Sequence, residues 1–203
     1  MKIELVKNSS FVKDDGTFDL DSALKLSSKF AGECYEEEGL PKLMKESDKR
    51  TNNRINRTIN NGHHSVYDHV SITMEIIDIP KILAMVLNNE KQYTTSEKSL
   101  RYTTVKNENG CITKKEEELY NEWLERFQKL IKESYGYHYD DGAIEKLAQE
   151  NARYLVTVFI PTRMVYTTTI RQFDYIACFM ERYIEEHKNS KDYFEIILVK
   201  SME

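Results

Sequence analysis

The stretch HVSITMEIIDI, residues 69–79, alternates Val70, Ile72, Met74 and Ile76 with Ser71, Thr73 and Glu75. A period of two belongs to a strand with one buried and one solvated face. The chain must therefore build a sheet and cover one side of it. Helical patterns supply the cover. DLDSALKLSSKFAGECY reads as a helix capped near Asp19 or Asp21, with Ala23, Leu24, Leu26 and Phe30 on its apolar face. Pro80 opens another, PKILAMVLNN, in the first-turn position that proline favours. KKEEELYNEWLERFQKLIKESYGY brings Leu119, Trp123, Leu124, Phe127 and Leu130 or Ile131 to one stripe, and Trp123 is expected in the core. DDGAIEKLAQENARYLV does the same with Ile144, Leu147, Ala148, Asn151 and Ala152.

Further strands are expected at KIELV and at TRMVYTTTIRQF, which is dense in Thr, Val and Tyr and runs toward Arg171. DYIACFMERYIEEH reads as helix. NSKDYFEIILVKSME is strand by residue type, or helix by an Asn189 or Ser190 cap with Asp192 in the first turn. The polar run EEEGLPKLMKESDKRTNNRINRTINNG is expected to be helical at its centre, around Leu40, Leu43 and Met44. Its Asn-rich part before Gly62 marks a helix end or a turn. Helices alternating with a few separated strands give an α/β (α+β) fold, a small sheet flanked by helices. With 203 residues, one domain over 1–203 is expected.

Charge and cysteine content exclude several function classes. The net charge is −5 and Lys is mixed evenly with Glu, which argues against a nucleic-acid face. Cys34, Cys111 and Cys178 are odd in number, widely spaced and without a CxxC pair, so neither a disulfide framework nor a structural zinc site is expected. No apolar run reaches the ~20 residues of a membrane span, and MKIELVKNSS has no signal-peptide pattern. The expected location is cytoplasmic, with no membrane partner.

Three places carry candidate chemistry. In NNEKQYTTSEKSLRYTTV, residues 89–106, Glu97, Ser99 and Arg101 alternate and Tyr102 closes the run. An extended segment would turn all three to one side, where they could converge on a small polar ligand; a solvated loop is the alternative. GHHSVYDH holds His63, His64 and His69, whose spacing fits no closed zinc signature, so no metal is expected. Arg153 and Arg171 sit inside apolar or Thr-rich segments, where an unpaired charge is costly. Each needs an anion, either a carboxylate of the protein or a bound phosphate.

Taken together, GHHSVYDHVSITMEI, TTSEKSLRY and ARYLVTVFIPTRMVYTTTIRQF resemble, in order and rough separation, the flavin-dependent thymidylate synthases. The corresponding family patterns are Gly-His-x-Ser/Thr-x-x-Glu-His, then Ser-x-Asn-Glu-x-Ser-x-Arg-Tyr, then Ala-Arg followed by a Thr-Arg strand ending in Asn-x-Arg. The resemblance runs from about residue 20 to residue 196. It implies a homotetramer with sites shared between subunits and methylation of dUMP to dTMP, with FAD as cofactor and NADPH and methylenetetrahydrofolate as co-substrates. Glu97, Ser99, Arg101 and Arg153 would bind dUMP, with Arg153 at its phosphate. His63, Ser65, Asn89, Lys91, Glu97, Thr169 and Arg171 would lie against FAD. Arg182, or His187, would polarise the uracil in the catalytic role.

The chain departs from the family at the flavin half of the site. Where the signature begins Arg-His-Arg, this chain has Asn89, Glu90 and Lys91. Ser96, Thr169 and Tyr175 stand where the family has Asn, and simple counting puts Met180 where the uracil-polarising Arg belongs, with Arg182 two places on. Two other readings therefore stay open: a paralogue acting on another pyrimidine nucleotide, and a non-catalytic nucleotide-binding subunit.

Overall fold

The structure is a computed structural model, and it describes residues 1–7, 9–101, 105 and 113–203. In chain order the elements are β1 (Lys2–Leu5), α1 (Leu20–Gly32), α2 (Leu40–Leu43), α3 (Asp48–Asn60), β2 (Ser71–Pro80), α4 (Lys81–Leu87), β3 (Tyr93–Glu97), α5 (Lys114–Tyr135), α6 (Asp141–Ala152), β4 (Pro161–Thr169), α7 (Ile170–His187) and α8 (Tyr193–Met202). Short 3₁₀ turns occupy Glu33–Tyr35, His64–His69 and Arg153–Leu155. The strands form one small sheet in the order β1-β2-β4-β3. The mixed α and β class expected from the sequence is the one observed.

Helix starts follow side-chain chemistry. Asp19 accepts from the Ser22 amide, Asp140 from Ala143, Thr169 from Gln172, and Asp192 from both Phe194 and Glu195. At α5, Thr113 and Glu116 cap each other's backbone amides reciprocally. Each carboxylate or hydroxyl satisfies an amide that the helix cannot. The C-terminal segment is thus a helix, with Asp192 itself as the cap in place of the expected Asn189 or Ser190.

The described residues group into two compact units, one within 2–76, 88–95 and 165–203, the other within 77–87 and 96–164 together with Met1. In the first, the Ile170 amide donates to the Val70 carbonyl at 3.0 Å and the hydroxyls of Thr73 and Thr167 meet at 3.0 Å. One residue number falls as the other rises, so β2 and β4 run antiparallel. The predicted period of β2 is met: Val70, Ile72, Met74 and Ile76 are all buried. On α1 the buried face is Ala23, Ser27, Ser28 and Gly32, while Leu24, Leu26 and Phe30 are only half-buried. Small residues let α3 approach closely; its end at Asn60 is the helix end that was one of two expected readings, but its run back to Asp48 through weak Asn and Thr helix formers was not expected. Tertiary bonds hold it there. Arg54 donates to both oxygens of Glu46 at 2.6 and 2.8 Å, and Thr51 Oγ1 to the same carboxylate at 3.0 Å.

In the second unit, Pro80 closes β2 instead of opening the helix. The first two amides of α4, at Lys81 and Ile82, donate to the carbonyls of Ile160 and Val158 at 2.9 and 2.8 Å. Helix α5 packs on α6 and on the turn at Arg153–Leu155. Its buried face is centred on Tyr120, which is fully enclosed with Val105, Ala152 and Ile160 and flanked by Leu124 and Phe127. Burial pushes the Tyr120 hydroxyl above the usual tyrosine range. The expected stripe is met at Leu124, Phe127 and Ile131, but its edge lies at Tyr120 and not at Leu119 or Leu130, which are exposed. Trp123 is half-buried, with the Arg126 guanidinium 5.1 Å over its ring, a position at the rim of the core. On α6 the expected stripe is met at Ile144, Ala148 and Ala152, which are buried, whereas Asn151 is exposed and Gln149 is buried with them.

Candidate functional site

Only Glu97 of the alternating set lies in a strand. Strand β3 ends at Glu97 and the chain turns at Leu100 and Arg101, so Ser99 and Arg101 do not continue the expected extended run. Each has its own partner. Lys81 Nζ donates to Glu97 at 2.6 Å, which fixes one carboxylate oxygen. The Arg101 guanidinium is ion-paired with Glu150 on α6, and the Arg101 amide donates to Ser99 Oγ at 3.2 Å. The Lys98 amide donates to the Arg163 carbonyl at 2.8 Å and anchors the segment to β4. Tyr102, like Cys111, lies outside the described residues; Cys34 and Cys178 are exposed and unbonded.

Arg153 and Arg171, alike in sequence, separate in structure. Arg153 caps the end of α6 and is half-buried, not enclosed in an apolar helix as expected. Its guanidinium lies 5.1 Å over the Tyr154 ring and donates to the Tyr154 hydroxyl at 3.3 Å; no carboxylate pairs with it among the described residues. Arg171 is the second residue of α7 instead of the end of a strand, and it pairs with Asp68 at 2.8 Å. The other Asp68 oxygen accepts from Thr169 Oγ1, also at 2.8 Å, while the same hydroxyl caps α7. Asp68, passed over in the sequence, thus ties the histidine segment to the start of α7.

The remaining flavin-side candidates lie in the same unit as Asp68. Asn89 and Lys91 are exposed, and the carboxylate of half-buried Glu90 accepts from Gln172 Nε2 at 3.1 Å. Tyr166 stacks on Tyr93 with ring centroids 5.6 Å apart. Burial, with a contribution from Glu90, pushes its hydroxyl up to about 12. Gln92, between Glu90 and Tyr93, holds a left-handed φ of 58°, and its carbonyl accepts from Thr168 Oγ1 at 3.1 Å. His63 and Ser65 are exposed, and Arg182 is exposed on α7. His63 also lines a cavity of about 460 Å³ with α3 residues that include Arg57. The polarity of α3 was legible in the sequence, but without the helix nothing placed those residues beside His63. Among the described residues no three His, Cys, Asp or Glu side chains are grouped to hold a metal ion.

Comparison with known proteins adds the following. The family model Thy1, thymidylate synthase complementing protein, matches residues 19–183. A flavin-dependent thymidylate synthase of Pyrococcus abyssi (strain GE5 / Orsay) is 24% identical over 123 residues, which cover 57% of this chain and 48% of that protein. The chain thus aligns to about half the length of that curated relative. Among solved structures, the flavin-dependent thymidylate synthase ThyX of Helicobacter pylori, determined with FAD and dUMP, matches at TM-score 0.50 and 16% identity. The match covers 100% of this chain and 91% of that one. A second structure of the Helicobacter pylori enzyme complexed with FAD and dUMP gives TM-score 0.48 and 17% identity. At 16% identity the match with TM-score 0.50 is a likeness of fold alone.

Proposed function

We infer the activity from one premise: the chain belongs to the Thy1 family, the thymidylate synthase complementing proteins. Within it we propose a flavin-dependent thymidylate synthase that methylates dUMP to dTMP, with NADPH and methylenetetrahydrofolate as co-substrates and sites shared in a homotetramer. The observation that carries this reading is the Arg153 guanidinium, which meets Tyr154 but no carboxylate among the described residues, in the segment whose family counterpart holds the nucleotide phosphate. A cation presented this way suits a phosphate ester.

The other residues fit roles of position and polarity. Glu97, fixed by Lys81, offers an acceptor to a nucleotide N–H or O–H, Ser99 a hydroxyl, and Arg101 a fork of donors oriented by Glu150. Arg182 on α7 is assigned to polarising the uracil. His63, Ser65, Asn89, Lys91, Thr169 and Arg171 are assigned to the flavin side, with Glu97 contributing to both. The donor set fits an anionic flavin nucleotide: His63 shares its cavity with arginines, and Asp68 holds Thr169 and Arg171 together. When bound, reduced FAD supplies the hydride that turns the transferred one-carbon unit into a methyl group. The protein's task is to hold the partners in register and to exclude water.

A nucleotide-binding subunit without flavin chemistry is the second reading, favoured by Glu90, an anion engaged by Gln172 where the family has an imidazole. Tritium release from 5-labelled dUMP, with FAD, NADPH and methylenetetrahydrofolate supplied, is the test. Release above a control lacking the folate supports the synthase. No release, with no flavin absorption band after FAD is added and removed, supports the binding subunit.

A further inference from the structure

Helix α3 carries Arg50, Arg54 and Arg57 at spacings of four and three, which sets them along one face. With Asn53, Asn61, His63 and a single carboxylate, Glu36, they line the cavity of about 460 Å³, so cations outnumber anions on its wall in a chain of net charge −5. Arg54 is used internally: it grips Glu46 with two nitrogens and also donates to the Ser28 carbonyl at 2.9 Å. Gly32 makes room for it, since a Cβ there would meet Arg54 Cζ at 3.0 Å and Leu43 Cδ2 at 2.5 Å. Arg50 and Arg57 are not used in this way. The nearest carboxylate oxygens to Arg50 belong to Glu46 at 3.6 Å and Glu36 at 3.9 Å, beyond hydrogen-bond length. Arg57 pairs with no carboxylate among the described residues. Guanidinium groups are donors only, so this wall has donors in excess and calls for an acceptor-rich ligand. Two helical turns, about 10 Å of rise, separate Arg50 from Arg57, and side chains of that length can converge on linked anionic groups.

We propose that this cavity binds a diphosphate group, with Arg50 and Arg57 as the cations that hold it. The identity of the occupant rests on the flavin reading above: the diphosphate is that of FAD, and the α3 arginines supply the positive charge that Asn89 and Glu90 do not. His63 lines the same cavity, which brings the residue assigned to the flavin within reach of those cations.

Calorimetric titration of the full chain with inorganic pyrophosphate, FAD and riboflavin, at fixed salt, separates the two claims. Pyrophosphate and FAD should bind the native protein, and the Arg50→Gln/Arg57→Gln double variant should weaken both by tenfold or more while leaving riboflavin unchanged. Arg50 and Arg57 are exposed, so the fold should survive. Arg57→Lys, which keeps the charge, should retain most of the pyrophosphate affinity, and Arg126→Gln on α5 should change nothing. Pyrophosphate that does not bind, or binds the double variant as well as the native chain, overturns the diphosphate site. FAD binding that is unchanged in the double variant overturns the assignment of FAD to this cavity and leaves the flavin reading standing. Pyrophosphate binding that depends on the arginines, with no FAD binding at all, upholds the diphosphate site and refutes the flavin reading.

Discussion

Arg153 is the residue on which the nucleotide reading turns, because its guanidinium has an aromatic ring beneath it and no carboxylate beside it among the described residues. Replacement by Ala should weaken dUMP binding by roughly 1.5–3 kcal/mol, the range for a hydrogen bond to a charged group. Uridine, without the phosphate, should bind the native and Arg153→Ala proteins alike; calorimetry of both ligands decides, and equal losses would move Arg153 out of the site. Glu46 offers a different test. Its side chain is 4% exposed, and hydrogen bonds from Arg54, then from Thr51, hold its carboxyl below the usual range against the cost of burial. A carboxyl depressed by folding stabilises the native state above its unfolded pKa, about 4.3, and that contribution is lost as pH falls through the lower folded value. Glu46→Gln should therefore cost about 2 kcal/mol at neutral pH, with the two melting curves converging at acid pH. Parallel pH profiles would show that the pair contributes nothing. Neither partner choice was legible in advance: Arg153 and Arg171 raise the same desolvation argument, and only the fold puts Asp68 beside one and an exposed tyrosine beside the other.

At the scale of the element, Gly32 sets how closely α1 approaches α2 and α3. Ala at this position would improve helix propensity by up to about 1 kcal/mol, but its methyl would meet Leu43 Cδ2 at 2.5 Å, and Leu43, 1% exposed, has nowhere to swing. The clash should win, so Gly32→Ala is expected to lower unfolding free energy by about 1–2 kcal/mol, read from urea titration; a stabilised variant would mean α2 and α3 can move away from α1 without loss. What could be read from sequence follows the same line between local and tertiary causes. The period of two in β2 survives folding because one face of that strand is covered along its length. Helix α3 was legible only at its end before Gly62, because Asn and Thr are weak helix formers and what holds its length is Arg54 on Glu46 together with the small buried residues of α1. The stripe on α5 was legible at Leu124 and Phe127 but not at its edge, where Tyr120, amphipathic by composition, and not Leu119 is the side chain that Val105, Ala152 and Ile160 enclose. Strand β3 stops at Glu97, so the alternation of Glu97, Ser99 and Arg101 is a sequence pattern without the strand geometry it implied.

For the whole molecule the open matter is assembly. Helix α7 buries Ile176 but leaves Phe173 41%, Tyr175 57% and Phe179 39% exposed, close in sequence to the Arg171 pair with Asp68. Tyr175 and Phe179, four residues apart, share one face of the helix; exposed rings there are costly to leave in water and mark a surface for another chain, and the shared-site reading requires one. A homotetramer is the expected state. Light scattering coupled to size exclusion, at micromolar concentration with dUMP and FAD present, should give four times the mass of the 24.0 kDa chain. Phe179→Glu places a charge on the exposed helix face and should lower that mass while far-ultraviolet circular dichroism stays unchanged, because a partly exposed ring contributes little to the fold of its own chain. If sites are shared, dUMP affinity should fall together with the mass. A native protein that runs as a monomer with both ligands present would rule out shared sites, and a Phe179→Glu protein that keeps its mass would place the interface elsewhere than on this face of α7.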